Sequence, residues 1–235
     1  TSFRIGGPAD ALVTPASESE LVSLISFCSL NGCPYFILGR GTNLLVRDKG
    51  IRGVVIKIDK PLAGLKIENQ RVTVGAGMDL GELSQQVGAR GLAGLEFAVG
   101  IPGSVGGAVR IFHFPVCMNA GAYDGEMKNV IKEVRAIAEN GEVLRFSAEQ
   151  MQFGYRSSIM QNSKMVILEA VLELLPDDPA AIKQRMDDFT ERREARQPLD
   201  LPSAGSVFKR PTGHFVGPML QELGLKGFSV NDAQV

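Results

Sequence analysis

Two glycine-rich motifs hold the residues best suited to grip an anion. The first is Gly39, Arg40, Gly41, Thr42 and Asn43, set between the apolar runs YFIL and LLV. Glycines let a backbone approach a ligand closely, and successive N–H groups can form an anion-binding nest. Arg40 adds charge, and Thr42 and Asn43 add side-chain donors. The motif is not G-x-G-x-x-G, because Leu44 stands where the third glycine belongs, and it is not a P-loop. The second motif runs Ile101, Pro102, Gly103, Ser104, Val105, Gly106 and Gly107. Pro102 stiffens its entry and Ser104 offers a hydroxyl. Either motif alone also serves as an ordinary tight connection. Together they point to a diphosphate held from both sides, and so to a dinucleotide.

Two further motifs offer side chains for chemistry rather than grip. FGYRSS places Tyr155 and Arg156 beside two hydroxyls. A planar guanidinium pairs both oxygens of a carboxylate, although a Tyr-Arg pair is also common on plain surfaces. PSAGSVFK sets Gly205 before Ser206, so that a turn can present the hydroxyl, with Lys209 and Arg210 close behind it.

These motifs need a frame. Ser17 and Glu20 make a capping box, Leu21, Leu24, Ile25 and Cys28 follow at helical spacing, and Gly32 closes a helix. Pro34 leads into the strand YFIL, and LLVRD and GVVIKI are expected as strands beyond the first motif. LKIENQRVTVG predicts a hairpin turning at Asn69 and Gln70. MDLGELSQQVGARG predicts a helix capped by Asp79 or a residue near it and stopped by Gly91. The second glycine motif reads as loop. VIKEVRAIAENGEVLRF predicts a hairpin turning at Asn140 and Gly141. SAEQ carries another Ser-x-x-Gln cap, MVILEAVLELL reads as a strand, and DPAAIKQRMDDFTERREARQPL as a charged helix ending near Pro198. The tail reads as loop, then helix, then an interrupted strand in GFSVNDAQV. Strands, hairpins and helices mix without strict βαβ alternation, which predicts an α+β fold with two sheet regions rather than a Rossmann fold. A soft boundary falls at the end of the second hairpin, dividing residues 1–145 from 146–235.

Composition narrows the partners. The 235 residues are 44% hydrophobic and 22% charged, as in soluble globular proteins. A net charge of −1 gives no global attraction to nucleic acid or anionic membrane. No apolar run approaches the roughly 20 residues that span a bilayer. Neither nucleic acid nor membrane is expected as a partner. Cys28, Cys33 and Cys117 make an odd count without CxxC, which argues against a disulfide framework or zinc and for a reducing cytoplasm. Cys28 reads as a small core residue. His113 and His214 lack ligand spacing, so no metal is expected. The chain opens on Thr1 and closes on Val235, and both ends are expected to be cut from a longer protein.

The ordered motifs TSFRIGGPA, ILGRGTNLLV, IPGSVGGAV, MNAGAY, FGYRSS, AGSVFK and LGLKGF make the chain resemble the UDP-N-acetylenolpyruvoylglucosamine reductase family of peptidoglycan synthesis. The resemblance covers nearly the whole chain and is to the shorter type, which lacks a tyrosine-bearing insertion. It implies an FAD-binding domain of the vanillyl-alcohol-oxidase (PCMH) type, followed by an α+β substrate-binding domain. FAD would lie along Gly39, Arg40, Gly41, Thr42 and Asn43, and along Ile101, Pro102, Gly103, Ser104, Gly106 and Gly107. It would be held non-covalently, since the first motif has no histidine to tether it. NADPH would reduce it and an enolpyruvyl sugar nucleotide would reoxidise it. Tyr155, Arg156, Ser206, Lys209 and Arg210 would meet that substrate. Arg156 would steady the charge developing beside its carboxylate, and Ser206 would donate a proton. The family's C-terminal glutamate would fall beyond Val235.

The chain departs from the family pattern in two places. Where the family has about one residue between GGAV and MNAGAY, this chain has RIFHFPVC, residues 110–117. That insertion reads either as a tolerated bulge or as an obstruction to FAD. Arg210 stands where many relatives have asparagine. Two other functions fit weaker parts of the pattern. One is an oxidase on the same flavin fold, and the other is a non-catalytic nucleotide-binding relative.

Overall fold

The computed structural model describes residues 1–110, 121–122, 125–154, 157–195, 197, 201–203, 207–208, 211 and 213–235. It separates into two compact units, Thr1–Ser203 and Ala204–Val235.

The first unit opens with β1 (Ala9–Val13), α1 (Glu18–Leu30), β2 (Tyr35–Leu38) and β3 (Ile51–Lys57). Ser17 Oγ accepts the Glu20 N–H at 3.2 Å, while the Glu20 carboxylate reaches back to the Ala16 N–H at 2.8 Å. The box thus closes one residue earlier than the motif implies. Leu21, Ile25 and Cys28 are fully buried along one face. The three strands form a parallel sheet in the order β1-β3-β2.

Parallel neighbours need a long crossover of about a dozen residues or more. Residues 39–50 provide it between β2 and β3, and they contain the first glycine motif. This corrects the expectation of a strand at LLVRD. That stretch must carry the chain back to the start of a parallel strand, so it forms no ladder. It lies instead against the amino-terminal segment, where Gly7 N–H donates to Arg47 O at 2.9 Å. Leu45 is 64% exposed.

The second sheet collects the hairpins. β4 (Leu65–Glu68) and β5 (Arg71–Gly75) turn at Asn69, whose φ is +54°. Then come α2 (Leu80–Gly88), β6 (Leu92–Ala93), α3 (Val105–Val109), and the short strands β7 (Gly121–Ala122) and β8 (Gly125–Glu126). β9 (Ile131–Ile137) and β10 (Val143–Ser147) turn through Gly141 at φ +85°. β11 (Val166–Glu173) enters between the two hairpins, giving the antiparallel order β10-β9-β11-β5-β4. Six of its eight residues are buried, as a strand covered on both faces requires. Two elements close the unit. β12 (Leu175–Pro176) pairs with β6. α4 (Pro179–Glu194) is capped by Asp178.

Ser147 and Gln150 form a fully reciprocal capping box, with bonds of 3.2 and 2.8 Å, yet only a turn follows it. Gln152 at φ +48° takes the backbone out of the helical region before a second turn can form. Conversely, part of the glycine tract expected as loop is the helix α3. Ser104 caps it by accepting the Gly107 N–H at 3.3 Å. The second unit carries α5 (Val216–Glu222) and a small hairpin of β13 (Ser229–Val230) and β14 (Ala233–Gln234), turning at Asn231 with φ +50°.

Candidate functional site

The two glycine motifs meet. Gly39 from the β2–β3 crossover, and Ser104, Gly106 and Gly107 from α3 and its cap, line one small cavity of about 60 Å³. Ile37 and Ile58 from the first sheet region wall one part of it. Ala76, Val166 and Ile167 from the second wall another, and Arg110 completes it. The site therefore sits where the two sheets of the first unit face each other.

Hydrogen bonds fix the motifs to each other and to the frame. Thr42 Oγ1 donates to Pro102 O at 2.8 Å, which joins the first motif to the second directly. Leu80 N–H donates to Gly103 O at 3.0 Å, Val105 N–H to Met78 O at 2.9 Å, and Gly106 N–H to Ala76 O at 2.9 Å. Ser2 N–H donates to Gly41 O at 3.1 Å, so the amino-terminal segment braces the first motif. Gly41 is buried, with φ +67°. Ile101 is partly buried and Asn43 is exposed.

Arg40 turns its charge toward Asp79 rather than into the cavity, and the two side chains form an ion pair. The same carboxylate caps α2, accepting the Glu82 N–H at 2.8 Å. The two side chains are 54% and 23% exposed, so the pair contributes at most about 1 kcal/mol and acts mainly as a positional link. Asp79 was legible in the sequence only as a helix cap, because its second partner lies far away along the chain. Arg110 is 7% exposed, and its Nη2 donates to Ser163 O at 2.8 Å. Burial pushes its guanidinium down to about 10, and the neighbouring Tyr35 pulls it partly back up. Of the residues expected to serve the substrate and the chemistry, Tyr155, Arg156, Ser206, Lys209 and Arg210 lie outside the described residues.

Residues 9–147 match the family described as FAD binding domain, and residues 197–235 match UDP-N-acetylenolpyruvoylglucosamine reductase, C-terminal domain. The chain is 49% identical over all 235 residues to the UDP-N-acetylenolpyruvoylglucosamine reductase of Syntrophomonas wolfei, and spans 76% of that relative. Its structure is similar to that of UDP-N-acetylenolpyruvylglucosamine reductase from Thermus caldophilus. The TM-score is 0.85 at 34% identity, over 100% of this chain and 80% of that one. A more distant likeness is to 6-hydroxy-D-nicotine oxidase from Arthrobacter nicotinovorans. That TM-score is 0.54 at 15% identity, over 74% of this chain and 38% of the oxidase, and it marks the shared flavin fold alone.

The residues present fit FAD. A Cβ built on Gly39 would sit 2.7 Å from Ser104 Oγ, and one on Gly106 would sit 2.8 Å from the Ala76 Cβ. Glycine at 39 therefore lets the two motifs approach each other, and glycine at 106 lets the second motif lie close against Ala76. The enclosed volume of about 60 Å³ is far below the roughly 300–1,000 Å³ of a drug-sized pocket, so it can hold only a small part of a dinucleotide. Its lining combines three glycines, the Ser104 hydroxyl and the Arg110 guanidinium with the apolar Ile37, Ile58, Ala76, Val166 and Ile167. With fold, cradle and relatives in agreement along the whole chain, the chain belongs to the UDP-N-acetylenolpyruvoylglucosamine reductase family, whose members are FAD-containing oxidoreductases of peptidoglycan synthesis.

Proposed function

We propose that this chain reduces UDP-N-acetylglucosamine enolpyruvate to UDP-N-acetylmuramate in the cytoplasm, with NADPH as electron source. One observation carries the reading. The two glycine motifs close on a single cavity, in a chain whose flanking matches are an FAD domain and the reductase's own C-terminal domain. FAD held there would supply two-electron transfer between the nicotinamide and the electron-poor double bond of the substrate. The chain's residues bind, orient and supply the proton. Residues of the two motifs hold the cofactor without a covalent bond. Arg156 pairs with the substrate carboxylate, beside which negative charge builds as the double bond is reduced. Ser206 donates the proton that this carbon then needs. Tyr155, Lys209 and Arg210 complete the substrate site, and the two cations suit a diphosphate sugar. Residues 1–145 chiefly serve the cofactor and residues 146–235 the substrate.

The test separates the two half-reactions by rapid mixing. NADPH bleaches the flavin absorbance of the wild type, and the enolpyruvyl substrate restores it. In Ser206→Ala the bleaching stays near its wild-type rate while the restoration slows by about 10²–10⁴. The proposal is refuted by a protein that binds no FAD, or by a reduced flavin indifferent to the enolpyruvyl substrate. Oxygen consumption on sugar or alcohol substrates without NADPH would make the chain an oxidase instead.

A further inference from the structure

Cys28 and Cys33 are brought together where α1 ends. The helix closes on a glycine turn. Gly32, at φ +62°, donates its N–H to Ser29 O at 3.3 Å, and the Cys33 N–H donates to Cys28 O at 2.8 Å. That pair of bonds makes a Schellman turn, in which the side chain two residues past the helix cap commonly meets the one three residues before it. Asn31 is the cap, so both of those positions are cysteine. Burial pushes the Cys28 thiol up, and Cys33 lies near enough to add to the effect. Both thiols are free in this structure.

A disulfide needs Cα atoms about 4.4–6.8 Å apart. Residues joined by one backbone hydrogen bond lie in that range, as bonded neighbours across a sheet do at about 5.5 Å. Access to the two sulfurs is unequal. Cys28 is fully buried, whereas Cys33 is partly exposed between the exposed Gly32 and Pro34. No atom of another segment lies within 4 Å of where a Gly32 side chain would stand, so the turn is open to small molecules. An accessible thiol backed by a second cysteine is the usual arrangement of a reversibly oxidised site. Pro34 O accepts the Val54 N–H at 2.9 Å, so the chain beyond Cys33 is already fixed. An odd cysteine count argues against a lasting disulfide framework but not against a transient bond.

We infer that Cys28 and Cys33 are a dithiol site that forms a reversible intramolecular disulfide by exchange with a low-molecular-weight disulfide. The Cys33 thiolate attacks one sulfur of the small disulfide, whose S–S bond breaks, and one small thiol leaves carrying the proton that Cys33 lost. The Cys28 thiolate then attacks Cys33 Sγ, the mixed S–S bond breaks, and the second small thiol leaves with the proton from Cys28. The protein thiols are oxidised and the small disulfide is reduced to two thiols. The bond ties the end of α1 to the entry of β2, the strand that runs up to Gly39. The inference is independent of the cofactor reading.

The test incubates the reduced, folded chain with oxidised glutathione, quenches it in acid, and digests it with trypsin. Cleavage after Arg4 and Arg40 leaves both cysteines on the peptide of residues 5–40, away from Cys117. That peptide becomes lighter by two hydrogen atoms and regains them with dithiothreitol. Cys28→Ala stops at a stable glutathione adduct on Cys33, and Cys33→Ser leaves the buried Cys28 unmodified. The oxidised wild type unfolds at the same urea concentration as the reduced form or a higher one. The inference is overturned by a 5–40 peptide that keeps both hydrogens, by an adduct that persists on wild-type Cys33, or by a bond from either cysteine to Cys117. A bridge that forms only in urea overturns it too, as does a lower urea midpoint on oxidation. The wild-type peptide decides the matter even where a variant fails to fold.

Discussion

The two glycine motifs line one cavity but are held in place by different means. The first is secured largely by side chains, through the Thr42 hydroxyl on Pro102 O and the Arg40 guanidinium on Asp79. Its glycine at position 41 is needed for a backbone angle, φ +67°. The second is secured by backbone, with Gly103 O, Val105 N and Gly106 N all bonded to residues at 76–80. Its glycine at position 106 is needed for closeness, because a side chain there would strike Ala76. Glycine therefore has two separate jobs in this site, and only one of them concerns conformation. A motif held by backbone against the turn that joins β5 to α2 resists change at its anchors but tolerates no added volume. A motif held by side chains is sensitive to each polar partner, and at Gly41 it leaves more room than the second motif does at Gly106.

Substitutions can break that contrast, and the largest effect is expected at Gly106. Gly106→Val places carbon 2.8 Å from the Ala76 Cβ and 3.1 Å from its carbonyl oxygen, so α3 and the turn after β5 must separate. Overpacking of this kind destabilises by about 1–3 kcal/mol. We predict that the purified variant is colourless and unfolds at lower urea than wild type. A yellow Gly106→Val would show that closeness is not what this glycine supplies.

Gly41→Val comes next, since a residue with a side chain in the left-handed region costs about 1–2 kcal/mol. Nothing strikes it as hard as at Gly106, the nearest atom being the Thr1 Cα at 3.1 Å. The expected outcome is a folded protein with weakened flavin binding, measured by fluorescence titration. Gly41→Asn should recover part of the loss, because asparagine tolerates that backbone angle better than valine.

Asp79 sharpens the comparison, because it has one function in each camp. Asp79→Asn keeps a competent cap but removes the charge that holds Arg40, and should change stability by no more than about 1 kcal/mol. Asp79→Ala loses the cap as well, for about 0.5–2 kcal/mol more. Urea midpoints of the two variants side by side check this. Equal midpoints would mean that the cap at α2 contributes nothing.

The smallest effect concerns acid. The Asp59 carboxylate follows Ile58 of the cavity wall. A hydrogen bond from Lys57, with the Lys60 backbone N–H behind it, holds its pKa below the ordinary carboxylate value of 3.8. A depressed carboxylate contributes stability that is present above the unfolded-state pKa and lost as pH falls through the folded one. Asp59→Asn should therefore cost slightly more stability at pH 6 than at pH 3. Denaturant titration at both pH values checks the sign, and a larger deficit at pH 3 would contradict it.

Much of this frame was legible from local chemistry. The Ser17 and Asp79 caps, the turns at Asn69 and Gly141, and the α+β character follow from residues that interact over a few positions. Both glycine motifs were visible too, and their convergence was a fair inference from their composition. What sequence could not show was partnership over distance. Arg40 meets Asp79 and Arg110 meets Ser163 only because two sheets bring separate segments together. LLVRD has strand composition but is overridden by the need to cross back for a parallel strand. The Ser147–Gln150 box has helix-start chemistry but meets Gln152 at a positive φ. The roles of Arg156 and Ser206 rest on the motifs FGYRSS and AGSVFK.

The insertion of β11 between β9 and β5 has a consequence for biosynthesis. A ribosome delivers the chain amino-terminus first, at about 5–20 residues per second. The hairpin of β4 and β5 and the hairpin of β9 and β10 can each close as they emerge. They cannot become one sheet until Glu173 has left the exit tunnel, because β11 is the strand that bridges them. Val166 and Ile167 on that strand also wall the cavity. A nascent chain that already displays both glycine motifs therefore has no finished cavity between them until a strand made long after both has joined the sheet.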